Sequence, residues 1–272
     1  MNQSNLVILI VLSLMLTGCD LFSANKPAGH IPVTFSDLTA KGDCGSKIRL
    51  NNQFWDVDYL AFYLSEPRVR IGGRWQALSF EPGQGQSSTT ALLKFHDRCT
   101  SNSNDTTIKL DANETLLNRA SAVRFTLGLP FSQNHLLDDV HDSPVNEPAM
   151  FQSARVGHTF MRIELKQSDN TSNWWSFLLA SGGCDASSDE QAPDQCQKPN
   201  RITVDLPLKA NVETLRLNAL LRKILFRAEL VPGQACNYGE QPADNCNKVL
   251  RNLTNNQWLV WDAPQQVYLK QN

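Results

Sequence analysis

Residues 56–71 read DVDYLAFYLSEPRVRI. Apolar and charged residues alternate at both ends, Asp56-Val57-Asp58-Tyr59 and Arg68-Val69-Arg70-Ile71, and a short apolar run joins them. A period of two rather than 3.6 marks a β-strand. The same reading extends to IPVTFSDLTA (31–40), RWQALSF (74–80), TALLKFHD (90–97), AVRFTLGLP (122–130), HTFMRIEL (158–165), WWSFLLAS (174–181) and RITVDLPLKA (201–210). Gly, Pro, Asn and Ser clusters separate these segments. The fold class expected is mainly β: an antiparallel β-sandwich with one or two short helices, stapled by disulfides. VETLRLNALLRKILFRAEL (212–230) has apolar residues at helical intervals and is the best helix candidate, with a strand pair as the alternative. CNKVLRNLTNN (246–256) is a second candidate for a helical turn.

The chain has 272 residues, enough to bury a substantial core. Its 25 Lys plus Arg stand against 27 Asp plus Glu, with no long run of either sign, so nucleic acid is not a favoured partner. The amino terminus is informative. An apolar run from Leu6 to Leu16 is too short for a permanent bilayer span and suits a signal-peptide core. It leads into Leu16-Thr17-Gly18-Cys19, which resembles a bacterial lipobox, although MNQSN lacks the usual Lys or Arg. Cys19 is then the lipidated first residue of the mature chain. The expected location is the periplasmic side of a bacterial membrane, reached through that anchor. Asp20 resembles the inner-membrane retention signal of enteric lipoproteins. The organisation expected is a signal peptide over 1–19, a tether over 20–30 and one β domain over 31–272, since no repeat or charge block divides the rest.

Six further cysteines remain: Cys44, Cys99, Cys184, Cys196, Cys236 and Cys246. An even number in an exported chain reads as disulfides. Cys184 and Cys196 bracket DASSDEQAPDQ, and Cys236 and Cys246 bracket NYGEQPADN, two acidic loops that short bridges would close. Cys44 and Cys99 would then pair by elimination. Each bridge is expected to stabilise by about 2–4 kcal/mol through loop closure in the unfolded chain. A zinc site of four thiolates is the rival, but the chain has no C-x-x-C.

Catalytic templates are absent. The sequence has no G-x-S-x-G, no H-E-x-x-H and no Gly-rich phosphate loop in strand-to-helix context, so no enzyme activity is expected. Metal ligands are unevenly spread. Three of five histidines, His135, His141 and His158, fall between 135 and 161, together with Met150 and Met161, the two methionines beyond the leader. Imidazole and thioether suit copper, Cu(I) above all. The plain alternative is that Met150 and Met161 fill core gaps and the histidines sit in satisfied hydrogen bonds.

TLGLPFSQNH, SPVNEPAMF, FLLASGGCDASSDEQAPDQCQKPNR and ACNYGEQPADNCNKV occur in an order that resembles the MbnP-like family of exported copper-binding proteins. The resemblance runs from about Val33 to Leu253. It implies a β-rich exported protein whose cofactor is copper and whose partner is a di-haem enzyme resembling cytochrome c peroxidases. In that family the partner oxidises a tryptophan to kynurenine, whose amine joins histidines as ligands. This chain departs from the pattern. Where the family resembles Trp-x-Trp-x-x-Gly-Tyr, it has Gln152-Ser153-Ala154-Arg155-Val156-Gly157-His158, and Leu178 stands where a histidine is frequent. A kynurenine is therefore not expected at 152 or 154.

Three outcomes stay open. His135, His158, His141 and Met150 form a replacement copper site; or Trp174 or Trp175 is the oxidised residue; or the metal has been lost. His135 is the first candidate because it lies on the shared motif beside Asn134, and His158 is the second. The competing reading is a metal-free, disulfide-stapled lipoprotein that binds a protein or a glycan.

Overall fold

The computed structural model describes residues 29–41, 45–98, 106–136, 143–208, 215–255 and 257–262. Its longest element is a strand, Gln53–Ile71, whose outer parts alternate buried and exposed positions as the sequence predicts. Tyr59 to Ser65 are all buried, so the middle of this strand is covered on both faces. A strand with two dry faces has no position for alternating polar residues, hence the apolar run.

Five strands pair antiparallel with this one: Gly45–Leu50, Arg74–Ala77, Thr90–Asp97, Ala122–Leu127 and Met161–Gln167. Glu66-Pro67 falls where the register shifts between Ser65 and Arg68, and Glu66 has a φ of 50°. Proline has no N–H for a ladder, and a bulge is where a strand tolerates it. Ile202–Pro207 extends the sheet beyond Ala122–Leu127, while Trp174–Leu179 and then Gln234–Asn237 extend it beyond Met161–Gln167.

A second sheet has the order Leu259–Trp261, Leu217–Ala219, His30–Phe35, Thr107–Lys109, and its central pair is parallel. Aromatic rings join the sheets. Phe35 of the smaller sheet meets Phe95 edge-on at 4.8 Å, Phe95 stacks on Phe62 of the long strand at 5.5 Å, and Phe62 meets Trp258 at 5.6 Å. These geometries add to the area the rings bury.

The described helices are short: Glu114–Asn118, Phe131–Asn134, Leu221–Ile224 and Asn247–Thr254. The last lies where a helical turn was expected. The long helix over 212–230 is corrected. From Leu215 onward the chain forms the strand Leu217–Ala219, then one helical turn, Leu221–Ile224. Leu215, Leu217 and Ala219 are buried at a period of two, and Leu221, Ile224 and Leu225 at helical spacing, so one apparent pattern is two elements in succession. Asp37, remote in sequence, caps the turn by accepting from Leu221 N at 3.0 Å and Arg222 N at 2.7 Å.

Two expected disulfides are present, Cys184–Cys196 and Cys236–Cys246. Cys19, Cys44 and Cys99 lie outside the described residues, as do the leader and most of the tether. No helix of the described residues is long and apolar enough to cross a membrane.

Phe62→Ala removes the ring that links Phe95 to Trp258. It is expected to cost about 3–5 kcal/mol, read as a lowered urea midpoint.

Candidate metal centre

Gly128 and Leu129 leave the large sheet at the end of Ala122–Leu127, and Pro130 opens the short helix Phe131–Asn134. This places Asn134 over the covered middle of the long strand, with no exposed surface. A buried carboxamide must find partners or lose about 1–3 kcal/mol per orphaned group. Asn134 finds them in the segment around residue 157. Its Oδ1 accepts from His158 N at 2.9 Å, its Nδ2 donates to the Val156 carbonyl at 3.1 Å, and its backbone carbonyl lies 2.7 Å from His158 Nδ1.

Gly157 makes this contact feasible. Its φ is +78°, and a Cβ there would lie 2.4 Å from the Asn134 carbonyl oxygen and 2.6 Å from its side chain. Neither the backbone region nor the space admits another residue.

His135 follows as the C-cap of the short helix and is half-buried. Its Nδ1 lies 3.0 Å from the Ala154 carbonyl, a contact only a ring N–H can make as a bond, so the proton sits on Nδ1. Nε2 then carries the lone pair. It faces the Asn134 Nδ2 at 3.3 Å and the Cys196 Sγ at 3.9 Å. Phe131 packs on the ring at 4.8 Å. Burial lowers the pKa of His135, and the Ala154 carbonyl opposes that shift, so the ring is neutral at neutral pH. A neutral imidazole held through one nitrogen by a carbonyl, with its other lone pair met only by the long Asn134 Nδ2 contact, is close to the form in which histidine binds metals.

His158, expected as the second ligand, is differently placed. It has no exposed surface, and carbonyl oxygens stand at both ring nitrogens, Asn134 O at 2.7 Å from Nδ1 and Val145 O at 2.9 Å from Nε2. A carbonyl oxygen stands before whichever nitrogen carries the lone pair, so a metal there would have to displace one of these contacts. It pins the 134 turn and the 145 loop together beneath the rings of Tyr63 and Phe151. Met150 is fully buried among the core side chains, the gap-filling role. His141 lies outside the described residues. Of the four expected ligands, His158 and Met150 are thus buried, His135 is half-buried, and His141 is not among the described residues.

What meets His135 instead is a pair of cysteines. One ligand atom each of His135, Cys184 and Cys196 lies within 4.8 Å of the others, the sulfurs being joined as a disulfide. Sequence reading took Cys184 and Cys196 as a staple only, because no spacing brings residue 135 beside residue 196. The Asn134-His135 dipeptide was visible, but its polar anchor is a contact across 24 residues.

A family model for MbnP matches residues 30–246. The chain belongs to the MbnP family. Among solved structures, MbnP from Methylosinus trichosporium aligns over 83% of this chain and 87% of that one, with a TM-score of 0.60 and 16% sequence identity. That likeness establishes the shared fold. No curated protein matches the chain.

Against the MbnP pattern, the tryptophan positions 152 and 154 carry other chemistry here. Gln152 Oε1 accepts from Asn237 Nδ2 at 3.0 Å and its Nε2 donates to Thr159 Oγ1 at 2.9 Å, bridging the segment to the sheet edge. Ala154 contributes the carbonyl that orients His135. Trp174 is exposed at the sheet surface and Trp175 buried within it, the positions of an edge and a core aromatic.

Gly157→Ala is expected to lower the thermal midpoint, with a cost of about 1–3 kcal/mol from backbone strain alone. pH gives a second check. Burial depresses the His158 pKa against the opposing pull of two carbonyls. Below about pH 6.5 the unfolded chain therefore takes up a proton that the native ring resists. Stability is expected to be full above that pH and to fall as the pH drops below about 6.5 toward the depressed native pKa. His158→Gln should flatten the dependence of the urea midpoint over this window.

Proposed function

We propose that this MbnP-family chain is an exported, lipid-anchored copper-binding protein, working beside a di-haem cytochrome c peroxidase-like partner, with His135 Nε2 as a copper ligand. It acts as a binding protein and not as an enzyme. The observation that carries this reading is the His135 ring, oriented through Nδ1–H to the Ala154 carbonyl, with its Nε2 lone pair turned toward the cysteine hairpin and met only by a long contact from Asn134 Nδ2. The Leu16-Thr17-Gly18-Cys19 sequence supports export and anchoring on the periplasmic side of a bacterial membrane. The exposed apolar side chains of Phe131 and Leu136, flanking His135, support docking of a partner at this end.

Copper supplies a soft centre that cycles between two oxidation states when bound. The residues of this chain orient the ligand and shield it. Ala154 fixes the tautomer, Asn134 and Gly157 set the turn from which His135 projects, and Phe131 covers one side of the ring.

A second reading has an observation of its own. His158 and Met150 are engaged in the core, and the large sheet carries a groove of about 280 Å³ lined by Asp58, Arg98, Glu164, Lys166, Trp174 and Ser176. Charged hydrogen-bonding groups around an exposed indole suit a glycan, which fits a metal-free binding module.

Protein purified from periplasm with its partner co-expressed is expected to retain stoichiometric copper through dialysis. His135→Ala should weaken copper affinity by about 10-fold or more, measured against a competing chelator. Its stability should fall by only about 1 kcal/mol, the worth of the Ala154 bond. Unchanged affinity would remove His135 from the site, and metal-free protein with intact disulfides would favour the glycan module.

A further inference from the structure

We propose that the Cys184–Cys196 disulfide is a redox gate on the His135 site: once reduced, the two thiolates and His135 Nε2 form a three-coordinate site for Cu(I). This rests on the reading of His135 as a metal ligand, and adds two ligands and a switch.

The placement of the sulfurs carries the inference. Cys184 and Cys196 stand directly opposite each other in the antiparallel pair Gly182–Cys184 and Cys196–Lys198, with Cα atoms 3.9 Å apart. Bonds that involve no sulfur hold this ladder. Asp185 N donates to the Gln195 carbonyl at 3.1 Å, and Gln195 N donates to the Asp185 carboxylate at 3.0 Å. The loop between them is tied to the 152–158 segment by Arg155, whose Nε lies 2.7 Å from Asp189 Oδ1 and whose backbone N donates to the Asp189 carbonyl at 3.2 Å. Reduction therefore leaves two thiols side by side and facing the same imidazole.

The distances fit a metal. Bonds of about 2.3 Å to sulfur and 2.0 Å to nitrogen, near 120° apart, require an S···N separation of about 3.7 Å and an S···S separation of about 4 Å. The Cys196 Sγ to His135 Nε2 distance is already 3.9 Å. The sulfurs need only part to ordinary van der Waals contact. Nε2 gives up in exchange one long contact, the 3.3 Å approach of Asn134 Nδ2. His135 and Cys196 are half-buried, with Cys184 behind them, so a reductant approaches the bridge from the Cys196 side. Cys236–Cys246 differs: both residues are about fully buried, and no histidine groups with them among the described residues.

Soft thiolates with imidazole select Cu(I) over hard-oxygen metals, and a d10 monovalent ion is content with three ligands. The electrons come from a dithiol reductant of the thiol–disulfide oxidoreductase class. One dithiol is oxidised to a cyclic disulfide as the Cys184–Cys196 bond breaks and both cysteines become thiols. Cu(I) then displaces one proton from each thiol, so that two protons leave and the site carries one net negative charge. Metal binding stabilises the reduced form by mass action, so copper and reductant act together.

The test compares full-length protein, oxidised or reduced anaerobically with a water-soluble phosphine, in Cu(I) titrations against bathocuproine disulfonate. Peptide mass mapping after alkylation identifies the opened bridge. Reduction of Cys184–Cys196 is expected to tighten Cu(I) binding by at least about 100-fold. Cys184→Ser/Cys196→Ser should abolish that gain while matching the oxidised protein. His135→Ala should weaken the reduced site by about 10-fold or more. If the double variant does not fold, reduced wild-type protein alkylated at these two cysteines takes its place. Equal affinity before and after reduction, or a gain that survives the double variant, overturns the gate while leaving the oxidised His135 site standing. Loss of copper from oxidised protein that is indifferent to His135→Ala instead overturns the earlier reading. A gain for Zn(II) with none for Cu(I) also overturns the proposal.

Discussion

Burial of one strand on both faces is the constraint from which the rest of this molecule follows. Between Tyr59 and Ser65 every residue of the long strand is buried. On one face Phe62 joins the rings that hold the sheets together. On the other, Tyr63 donates to the Pro144 carbonyl and its ring meets His158, while Ser65 donates to the Gly128 carbonyl. The chain segments around His135 and His158 thus cover a dry sheet face. Their polar groups must be paired internally, because water is excluded there.

That requirement explains why two histidines so near each other have different chemistry. His158 lies deep, and carbonyl oxygens stand at both of its nitrogens. His135 lies at the rim, where one carbonyl fixes one nitrogen and the other faces the cysteine hairpin. Asn134 is the pivot between them, and Gly157 gives it room. Depth in the fold, rather than residue type, decides which imidazole is enclosed by carbonyls and which turns a nitrogen toward the cysteine hairpin.

The departures from the MbnP pattern acquire a physical meaning in the same frame. Gln152 replaces an aromatic with a two-ended hydrogen-bond bridge between Thr159 and Asn237, so the segment stays attached to the sheet edge without an indole. Ala154 removes a side chain but retains the carbonyl that orients His135. An oriented imidazole is thus held without an indole at 152 or 154, with the Cys184–Cys196 pair beside it. The 16% identity to the Methylosinus trichosporium protein, at a TM-score of 0.60, shows how far side chains have diverged around a common frame.

Local pattern was enough to read most of the longer strands, though not Gly45–Leu50 or Gln234–Asn237, because a period of two survives where one face is wet, and to pair Cys184 with Cys196 and Cys236 with Cys246, because their loops are short. The order of the motifs likewise established the family. The stretch 212–230 was misread as one helix because Leu217–Ala219 became a strand only by pairing with His30–Phe35 and Leu259–Trp261, neighbours far away in the chain. The roles of His135 and His158 were equally closed to sequence. Which nitrogen of an imidazole is free depends on carbonyl oxygens that folding delivers from residues 134, 145 and 154, and a carbonyl leaves no trace in residue type. Sequence alone determined the β class, the local disulfides and the kinship; tertiary packing alone decided which histidine is enclosed by carbonyls, which turns a nitrogen outward, and which sulfurs stand beside it.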